Sequence, residues 1–217
     1  PRPAVLLFHG GGWQNGGPWQ MAPYAKEFAE AGYVAYSAEY RLVSKNTDTV
    51  ADCVADAEAV YQWLVDHADE QGIDPERVFI GGASAGGHIA LCVFLRPGPD
   101  EKSRFKGYIG YNPVVTTELE RFAAIFEDVG STLDPMEQIG EGTSPLLIFH
   151  GSRDPIVPIE SVVAFQEAAS ALGVTCRVEV FEGESHGFFN KNRATPEIRE
   201  RLRREALGFL DCYSEIK

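Results

Sequence analysis

The sequence lacks the features that mark several large classes of protein. Its four cysteines (Cys53, Cys92, Cys176 and Cys212) form no CxxC pair, so neither a disulfide framework nor a zinc site is predicted. No apolar run approaches the ~18 residues of a membrane-spanning helix. Lys and Arg number only 19 against 32 Asp and Glu, and a formal charge of −13 repels phosphate backbones and anionic membranes. Nucleic-acid binding and a membrane span are therefore not expected.

The start of the chain carries no visible signal peptide. The chain opens at Pro1 without methionine and reaches an apolar run by Ala4, which indicates that its original start has been removed and leaves the compartment open. With 217 residues, 44% hydrophobic and 24% charged, it suits a single globular domain over residues 1–217.

Short apolar runs alternate with helical patterns along the whole chain. The runs that predict strands are Ala4–Phe8, Val34–Tyr36, Val78–Ile80, Tyr108–Tyr111, Leu146–Phe149 and Val178–Phe181. The helix candidates between them are Pro23–Ala31, Thr49–Gln71, Ala85–Leu95, Ile159–Leu172 and Pro196–Tyr213. Strands that look apolar on both faces and alternate with helices indicate a mostly parallel sheet covered on both sides. The predicted fold class is α/β.

Glycines cluster where two of the predicted strands end. Gly10–Gly12 follow the first strand as His-Gly-Gly-Gly-Trp, and Gly81–Gly87 reads Gly-Gly-Ala-Ser-Ala-Gly-Gly. In an open α/β sheet, ligands bind at the carboxyl ends of the strands. The segment Gly82–Gly86 matches G-x-S-x-G, in which a serine on a tight strand-to-helix turn needs small neighbours. By itself this pattern fits equally well a glycine-rich turn that binds a phosphate or nothing.

A serine nucleophile at Ser84 would need a base and a carboxylate that orients the base. Among the five histidines, His186 lies in the loop after the last predicted strand, from which it can fold back over the serine. Asp154 follows the fifth strand and otherwise suits a turn or a helix cap. The remaining histidines are predicted to brace loops, to face solvent or to point along a helix: His9, His150, His67 and His88. A metal cluster of His9, His150 and Asp154 is the weaker alternative, because a triad already accounts for Asp154.

Acyl transfer at Ser84 would also build an oxyanion, which backbone N–H groups stabilise. Consecutive glycines let the backbone approach a substrate with no side chain in the way. The N–H groups of Gly11, Gly12 and Ala85 are the predicted donors, Ala85 being the residue after the serine. Without Ser84, the three glycines would indicate only a flexible tight turn.

Together these motifs resemble the α/β-hydrolase superfamily. The resemblance is strongest to its esterase/lipase branch, which contains hormone-sensitive-lipase-like enzymes and the acetylxylan and feruloyl esterases of the BD-FAE type. It covers the whole chain through HGGGW at 9–13, EYRL at 39–42, GGASAGGH at 81–88, HGSRDPIVP at 150–158 and ESHGFF at 184–189. The order Ser84, Asp154, His186 is the chain order of these hydrolases.

This resemblance implies the role of each site residue. Ser84 is expected to be the nucleophile, His186 the general base and then acid, and Asp154 the residue that orients His186. The oxyanion hole falls at the glycine and alanine N–H groups named above, and no metal or cofactor is required. Ala83 stands where the hormone-sensitive-lipase-like group usually has Asp, which favours the small acetylesterases.

The family topology implies a sheet of six strands in the order 4-3-5-6-7-8 of the family numbering, with the N-terminal strand pair absent. The strand within residues 33–40 would then form an unpaired edge of the sheet. Because an exposed edge with apolar positions tends to seek a partner, a homodimer through residues 33–40 is predicted.

A minimal cap over residues 116–144 predicts an open site, suited to short acyl groups on a bulky alcohol. Trp13, Trp19, Tyr111 and Phe188 are expected near its mouth, where they would stack on a sugar or only pack the rim. The predicted function is a serine carboxylesterase that hydrolyses acetyl-type esters, with acetylated carbohydrates as candidate substrates. The alternatives are an arylformamidase or a serine peptidase-like amidase on the same fold, and a non-catalytic hydrolase-fold binding protein.

Overall fold

The computed structural model describes residues 1–43, 48–98, 103–127 and 129–214. Its strands are β1 (Arg2–Phe8), β2 (Val34–Ala38), β3 (Ile73–Ala83), β4 (Gly107–Tyr111), β5 (Leu146–Gly151) and β6 (Cys176–Phe181). They form one six-stranded sheet in the order β2-β1-β3-β4-β5-β6, with every neighbouring pair parallel. The predicted α/β class and strand order are therefore confirmed.

The helices follow the predicted segments closely. They are α1 (Ala22–Glu30), α2 (Val50–Asp66), α3 (Ala68–Gln71), α4 (Ala85–Phe94), α5 (Ala123–Phe126), α6 (Pro135–Gln138), α7 (Ile159–Ala171) and α8 (Pro196–Ser214). The single helix predicted over 49–71 is divided at His67, whose backbone leaves the helical region, and Gly72 ends the second part with φ 66°. In the described ranges, no helix combines the length and the apolarity needed to cross a membrane.

Alternate residues of the inner strand β1, between β2 and β3, enter two separate apolar layers. Leu6 and Phe8 pack in the layer that holds α2, α4 and α7, whereas Val5 and Leu7 pack in the layer that holds α1 and α8. Both faces of the strand are thus buried, which explains its nearly continuous apolar sequence. The rigid sheet places the loops after β1, β3, β5 and β6 at its carboxyl edge.

Short helical turns make up the described part of the cap over residues 116–144. A single buried carboxylate, Asp134, ties this segment together. Its Oδ2 accepts hydrogen bonds from the Thr116 hydroxyl and from the backbone N–H and hydroxyl of Thr117, and its Oδ1 accepts from the N–H of Met136. Hydrogen bonds to one carboxylate therefore hold the two ends of the described cap segment together.

Buried His88 connects α4 to this cap and makes stability depend on pH. Its Nε2 donates to the carbonyl of Leu133 at 2.8 Å, and its side chain is excluded from solvent. Burial lowers the pKa of His88 from 6.5 to about 4. His88 therefore binds a proton near pH 6.5 in the unfolded chain but only near pH 4 in the folded chain. The stability from this neutral histidine is complete above pH 6.5 and is lost as the pH falls toward 4.

We expect the free energy of unfolding to be about 2 kcal/mol lower at pH 5 than at pH 7.5 because of His88. Urea denaturation at the two pH values measures the difference. The variant His88→Gln, which does not titrate and can still donate to Leu133, should show a flatter dependence. An unchanged slope in His88→Gln would show that other groups, such as buried His9 and His150, cause the loss.

Candidate active site

Ser84 lies on the turn between β3 and α4 in a rarely occupied backbone conformation. Its φ of 49° and ψ of −117° store strain on the order of 1–3 kcal/mol. Two glycines make the turn possible, because a Cβ on Gly82 would collide with the carbonyl of Phe8 and one on Gly86 with the carbonyl of His9. The small residues of the Gly-x-Ser-x-Gly segment are therefore required by the close passage of β1 beneath the turn.

Three side chains predicted to act together form a continuous hydrogen-bonded chain. The Ser84 hydroxyl lies 2.9 Å from His186 Nε2, and His186 Nδ1 lies 2.7 Å from Asp154 Oδ2. The other carboxylate oxygen, Asp154 Oδ1, accepts from the backbone N–H groups of Ile156 and Val157 at 2.8 and 2.9 Å. The Asp154 carboxylate thus accepts three hydrogen bonds, one from His186 and two from the backbone.

The electrostatics of Asp154 fix the tautomer of its partner. Burial of the carboxyl acts to raise its pKa, but hydrogen bonds from His186 and from the backbone N–H groups outweigh burial and hold the pKa below its usual value. The ionised carboxylate can only accept, so His186 keeps its proton on Nδ1. The lone pair of Nε2 then faces the Ser84 hydroxyl.

The loop that carries His186 is held by residues that the sequence analysis did not single out. Asn112 accepts from the N–H of Gly187 at 2.9 Å through its Oδ1, and Arg193 donates to the carbonyl of His186 at 2.6 Å and to Ser185 Oγ at 2.8 Å. The sequence does carry a signal for Asn112, because a polar residue stands there just after β4 and beside a proline. Arg193 had none, because nothing local distinguishes it from other surface arginines.

The glycine loop after β1 presents backbone donors beside Ser84. Gly11 and Gly12 have φ values of 133° and 62°, which favour glycine. The N–H of Gly10 is already used, since it donates to Gln20 Oε1 at 2.6 Å, whereas no acceptor among the described residues faces the N–H of Gly11 or Gly12. Ala85 is the first residue of α4, so its N–H has no partner within the helix. These three N–H groups are the predicted oxyanion donors, and that role stays a prediction.

The histidines predicted to brace loops bond to backbone carbonyls. His9 Nδ1 lies 2.8 Å from the Gly10 carbonyl and His150 Nε2 lies 2.9 Å from the Val157 carbonyl. Both side chains are buried, and burial lowers the pKa of each. His150 Nε2 also lies 3.5 Å from Asp154 Oδ2, the same carboxylate oxygen that His186 Nδ1 contacts at 2.7 Å.

Of the four aromatic residues predicted at the mouth of the site, only one is exposed. Trp13 and Tyr111 are 0% exposed and Phe188 is 1% exposed, so the prediction that their faces are open to a sugar is wrong. Trp13 packs edge-on against Phe122 of the cap, and the other two lie in the layer beneath α1 and α8. Trp19 is 71% exposed and is the single aromatic face of the four that solvent reaches.

Two clefts border the glycine loop on opposite sides. One, of about 530 Å³, extends from Gly12 to the cap residues Phe122 and Ile125. The other, of about 850 Å³, extends from Gly10 past Trp19 to the loop after β6. The site is therefore flanked by two clefts, each of which combines polar and apolar lining residues.

Comparison with known proteins places the chain in a family. Residues 5–131 match the family described as the alpha/beta hydrolase fold. Esterase 2 of Thermogutta terrifontis, in a structure phosphorylated by paraoxon, is 38% identical with a TM-score of 0.86, and the match covers 96% of this chain and 82% of that one. The chain belongs to the α/β-hydrolase family, in its esterase/lipase branch.

Further relatives agree with this placement. A propionate-bound structure of the same thermophilic esterase from Thermogutta terrifontis is 37% identical, with a TM-score of 0.86 over 96% of this chain and 82% of that one. Isoprenylcysteine alpha-carbonyl methylesterase ICME from Arabidopsis thaliana is 24% identical over 216 residues, covering 85% of this chain and 50% of that protein. The chain spans about half the length of the curated relatives it matches.

Proposed function

We propose that the protein is a serine carboxylesterase that hydrolyses short-chain acyl esters through an acyl-Ser84 intermediate. The observation that carries the proposal is the hydrogen-bonded chain from Asp154 through His186 to Ser84, with distances of 2.7 and 2.9 Å. Reaction of the related esterase 2 with paraoxon, a reagent that phosphorylates nucleophiles, supports a nucleophilic mechanism.

Each half of the reaction uses the same three side chains. As Ser84 Oγ bonds to the ester carbonyl carbon, His186 Nε2 takes the hydroxyl proton, and the oxygen that gains charge is stabilised by the N–H groups of Gly11, Gly12 and Ala85. The imidazolium, stabilised by the adjacent carboxylate, then protonates the leaving alcohol. Water loses a proton to Nε2 and attacks the acyl carbon, and the returned proton restores the serine hydroxyl.

Short acyl groups are proposed because the cap is small and relatives bind short acids. The described cap helices are no longer than four residues. Structures of the related Thermogutta terrifontis esterase carry propionate or butyrate. Acetylated carbohydrates are the proposed natural class, supported by the exposed face of Trp19 beside the glycine loop.

Turnover of p-nitrophenyl esters of increasing acyl length tests the acyl specificity. We expect kcat/KM to be highest between acetate and butyrate and to be at least about tenfold lower for octanoate, a difference of ~1.4 kcal/mol in transition-state binding. Higher kcat/KM for octanoate would contradict the short-acyl proposal.

Two further substrates separate the competing activities. Faster turnover of N-formylkynurenine or of a prolyl p-nitroanilide than of p-nitrophenyl acetate would identify an arylformamidase or a peptidase-like amidase. Absence of turnover on all three would identify a binding protein, although its intact Ser84–His186–Asp154 chain would then have no use.

We also propose that the protein forms a homodimer through residues 33–40. Strand β2 lies at the end of the sheet and pairs with β1 on one side, and all five of its residues are half-buried. Sedimentation velocity should show a dimer, and a monomer at every concentration would contradict the prediction.

A further inference from the structure

The cleft that extends from Gly10 past Trp19 differs in charge from the protein as a whole. The chain carries a net charge of −13, yet this cleft of about 850 Å³ is lined by Lys191 and Arg193 and by no described Asp or Glu. The adjoining groove beyond Pro23 carries both signs, with Lys26 and Arg199 beside two glutamates. The cleft next to the active site is therefore a local cationic surface on an acidic molecule.

Trp19 forms a fixed aromatic wall of this cleft. A Cβ on Gly17 would overlap the ring of Trp19, so the indole can lie directly against the Gly17 backbone. The side chain is nevertheless 71% exposed. One part of the ring is thus supported by the loop while the rest faces the cleft, as expected of a platform for a flat, partly apolar ligand.

Amide side chains supply the remaining polar surface. Gln20 Nε2 donates to Asn190 Oδ1 at 3.1 Å and thereby joins the two walls of the cleft. Asn15 and Asn192 line the same cleft and are exposed. Gln20 and Asn190 already bond to each other and to the backbone, so Asn15 and Asn192 are the amides offered to a ligand rich in hydroxyl groups. Such amides favour a hydroxylated alcohol over a plain acyl chain, so the cleft fits the alcohol side of an ester.

The cleft begins beside Ser84, at the glycine loop. At Gly10, which lines the cleft, an added Cβ would lie 3.2 Å from the Cβ of Ser84. On the opposite wall, Arg193 donates to the carbonyl of His186. An alcohol leaving from an ester carbon bound at Ser84 can therefore extend directly into this cleft.

We propose that the cleft binds the alcohol part of the substrate and selects an acidic sugar, that is, an acetylated uronic acid unit. Trp19 stacks on the pyranose ring, the amides bond to its hydroxyl groups, and Lys191 and Arg193 attract its carboxylate. This subsite rests on the proposed esterase function and defines the class of alcohol that the same site accepts.

Matched acetylated sugars test the subsite. Acetylated methyl glucuronoside and methyl glucoside, with the acetyl group at the same position, differ only in a carboxylate against a hydroxymethyl group. We expect the wild type to favour the acidic sugar by about tenfold in kcat/KM at low salt, and the preference to shrink in about 0.5 M salt, where charges are screened within a few ångström. Trp19→Ala should raise KM for both sugars alike.

Two charge-reversal variants test whether the preference for the acidic sugar arises at Lys191. Lys191→Glu should abolish or invert the preference. Lys106→Glu makes the same change in net charge at the start of β4, at the opposite edge of the sheet, and should keep both the preference and the basal activity. Equal kcat/KM for the two sugars in the wild type, turnover of neither, or an unchanged preference in Lys191→Glu would overturn the subsite.

The proposed esterase function fails separately, if the wild type does not hydrolyse p-nitrophenyl acetate. In that case, titration of unacetylated methyl glucuronoside and methyl glucoside, followed by NMR, decides the subsite without any chemistry. Tighter binding of the glucuronoside would support it, and equal binding or none would overturn it.

Discussion

Replacement of Ser84 by alanine is expected to lower kcat for p-nitrophenyl acetate by about 10⁴-fold or more. In the proposed mechanism the Ser84 oxygen bonds to the acyl carbon, and no other hydroxyl lies within hydrogen-bond distance of His186 Nε2 among the described contacts. What remains in the variant is the weak catalysis that backbone donors and substrate binding provide. Steady-state release of p-nitrophenolate measures the loss.

The matched control is Ser170→Ala, an exposed serine on α7 whose hydroxyl donates to the carbonyl of Gln166 one turn before it. It should retain wild-type activity. The thermal midpoint of unfolding of Ser84→Ala should remain close to that of the wild type. Alanine and serine both carry a Cβ, so the strained backbone conformation at this position costs them about the same. If Ser84→Ala kept more than about a tenth of wild-type kcat, Ser84 would not be the nucleophile.

Asp154→Asn is expected to lower kcat by about 10³- to 10⁴-fold with KM nearly unchanged. The amide oxygen would accept the two N–H groups of Ile156 and Val157, which leaves the amide NH₂ facing His186 Nδ1. His186 would then carry its proton on Nε2 and could not take the proton of Ser84. The substitution keeps the shape of the site and reverses one hydrogen bond.

Steady-state kinetics with p-nitrophenyl acetate separates kcat from KM for this variant. Asp69→Asn, which removes the same charge from exposed α3, is the control and should behave as the wild type. A loss smaller than about tenfold would show that the carboxylate does not set the tautomer of His186. A large rise in KM would instead indicate that the loop after β5 has moved.

The sheet and the glycine turns could be predicted because their signals are local. Strands buried on both faces appear as uninterrupted apolar runs, and β1 and β5 are such runs. The conformation of Ser84 depends on Gly82 and Gly86, which lie two residues away on either side. A pattern of five residues therefore contains most of the information that forms the turn.

The environment of the aromatic residues could not be predicted, because it depends on contacts far along the chain. Trp13 and Trp19 are six positions apart, yet one is fully buried and the other is 71% exposed. Trp13 is covered by Phe122 and Phe126, which come from the cap between β4 and β5. No property of the segment around Trp13 reports the position of that cap.

The hydrogen bonds that hold the site together were hidden for the same reason. Gln20 joins the glycine loop to Asn190, and Asn112 joins the end of β4 to the loop of His186. Each bond spans a long stretch of sequence and involves a side chain that is common in loops. Neither hydrophobic periodicity nor short sequence motifs reveal such hydrogen bonds.

The site of phosphorylation by paraoxon tests the central proposal most directly. Ser84 Oγ would attack phosphorus as His186 takes its proton, and p-nitrophenolate would leave. We expect one equivalent of p-nitrophenolate per chain, with the phosphoryl group found by peptide mass spectrometry on Ser84, and no rapid release from Ser84→Ala. A phosphoryl group on another residue, or an undiminished release from Ser84→Ala, would contradict the assignment of Ser84 as the nucleophile.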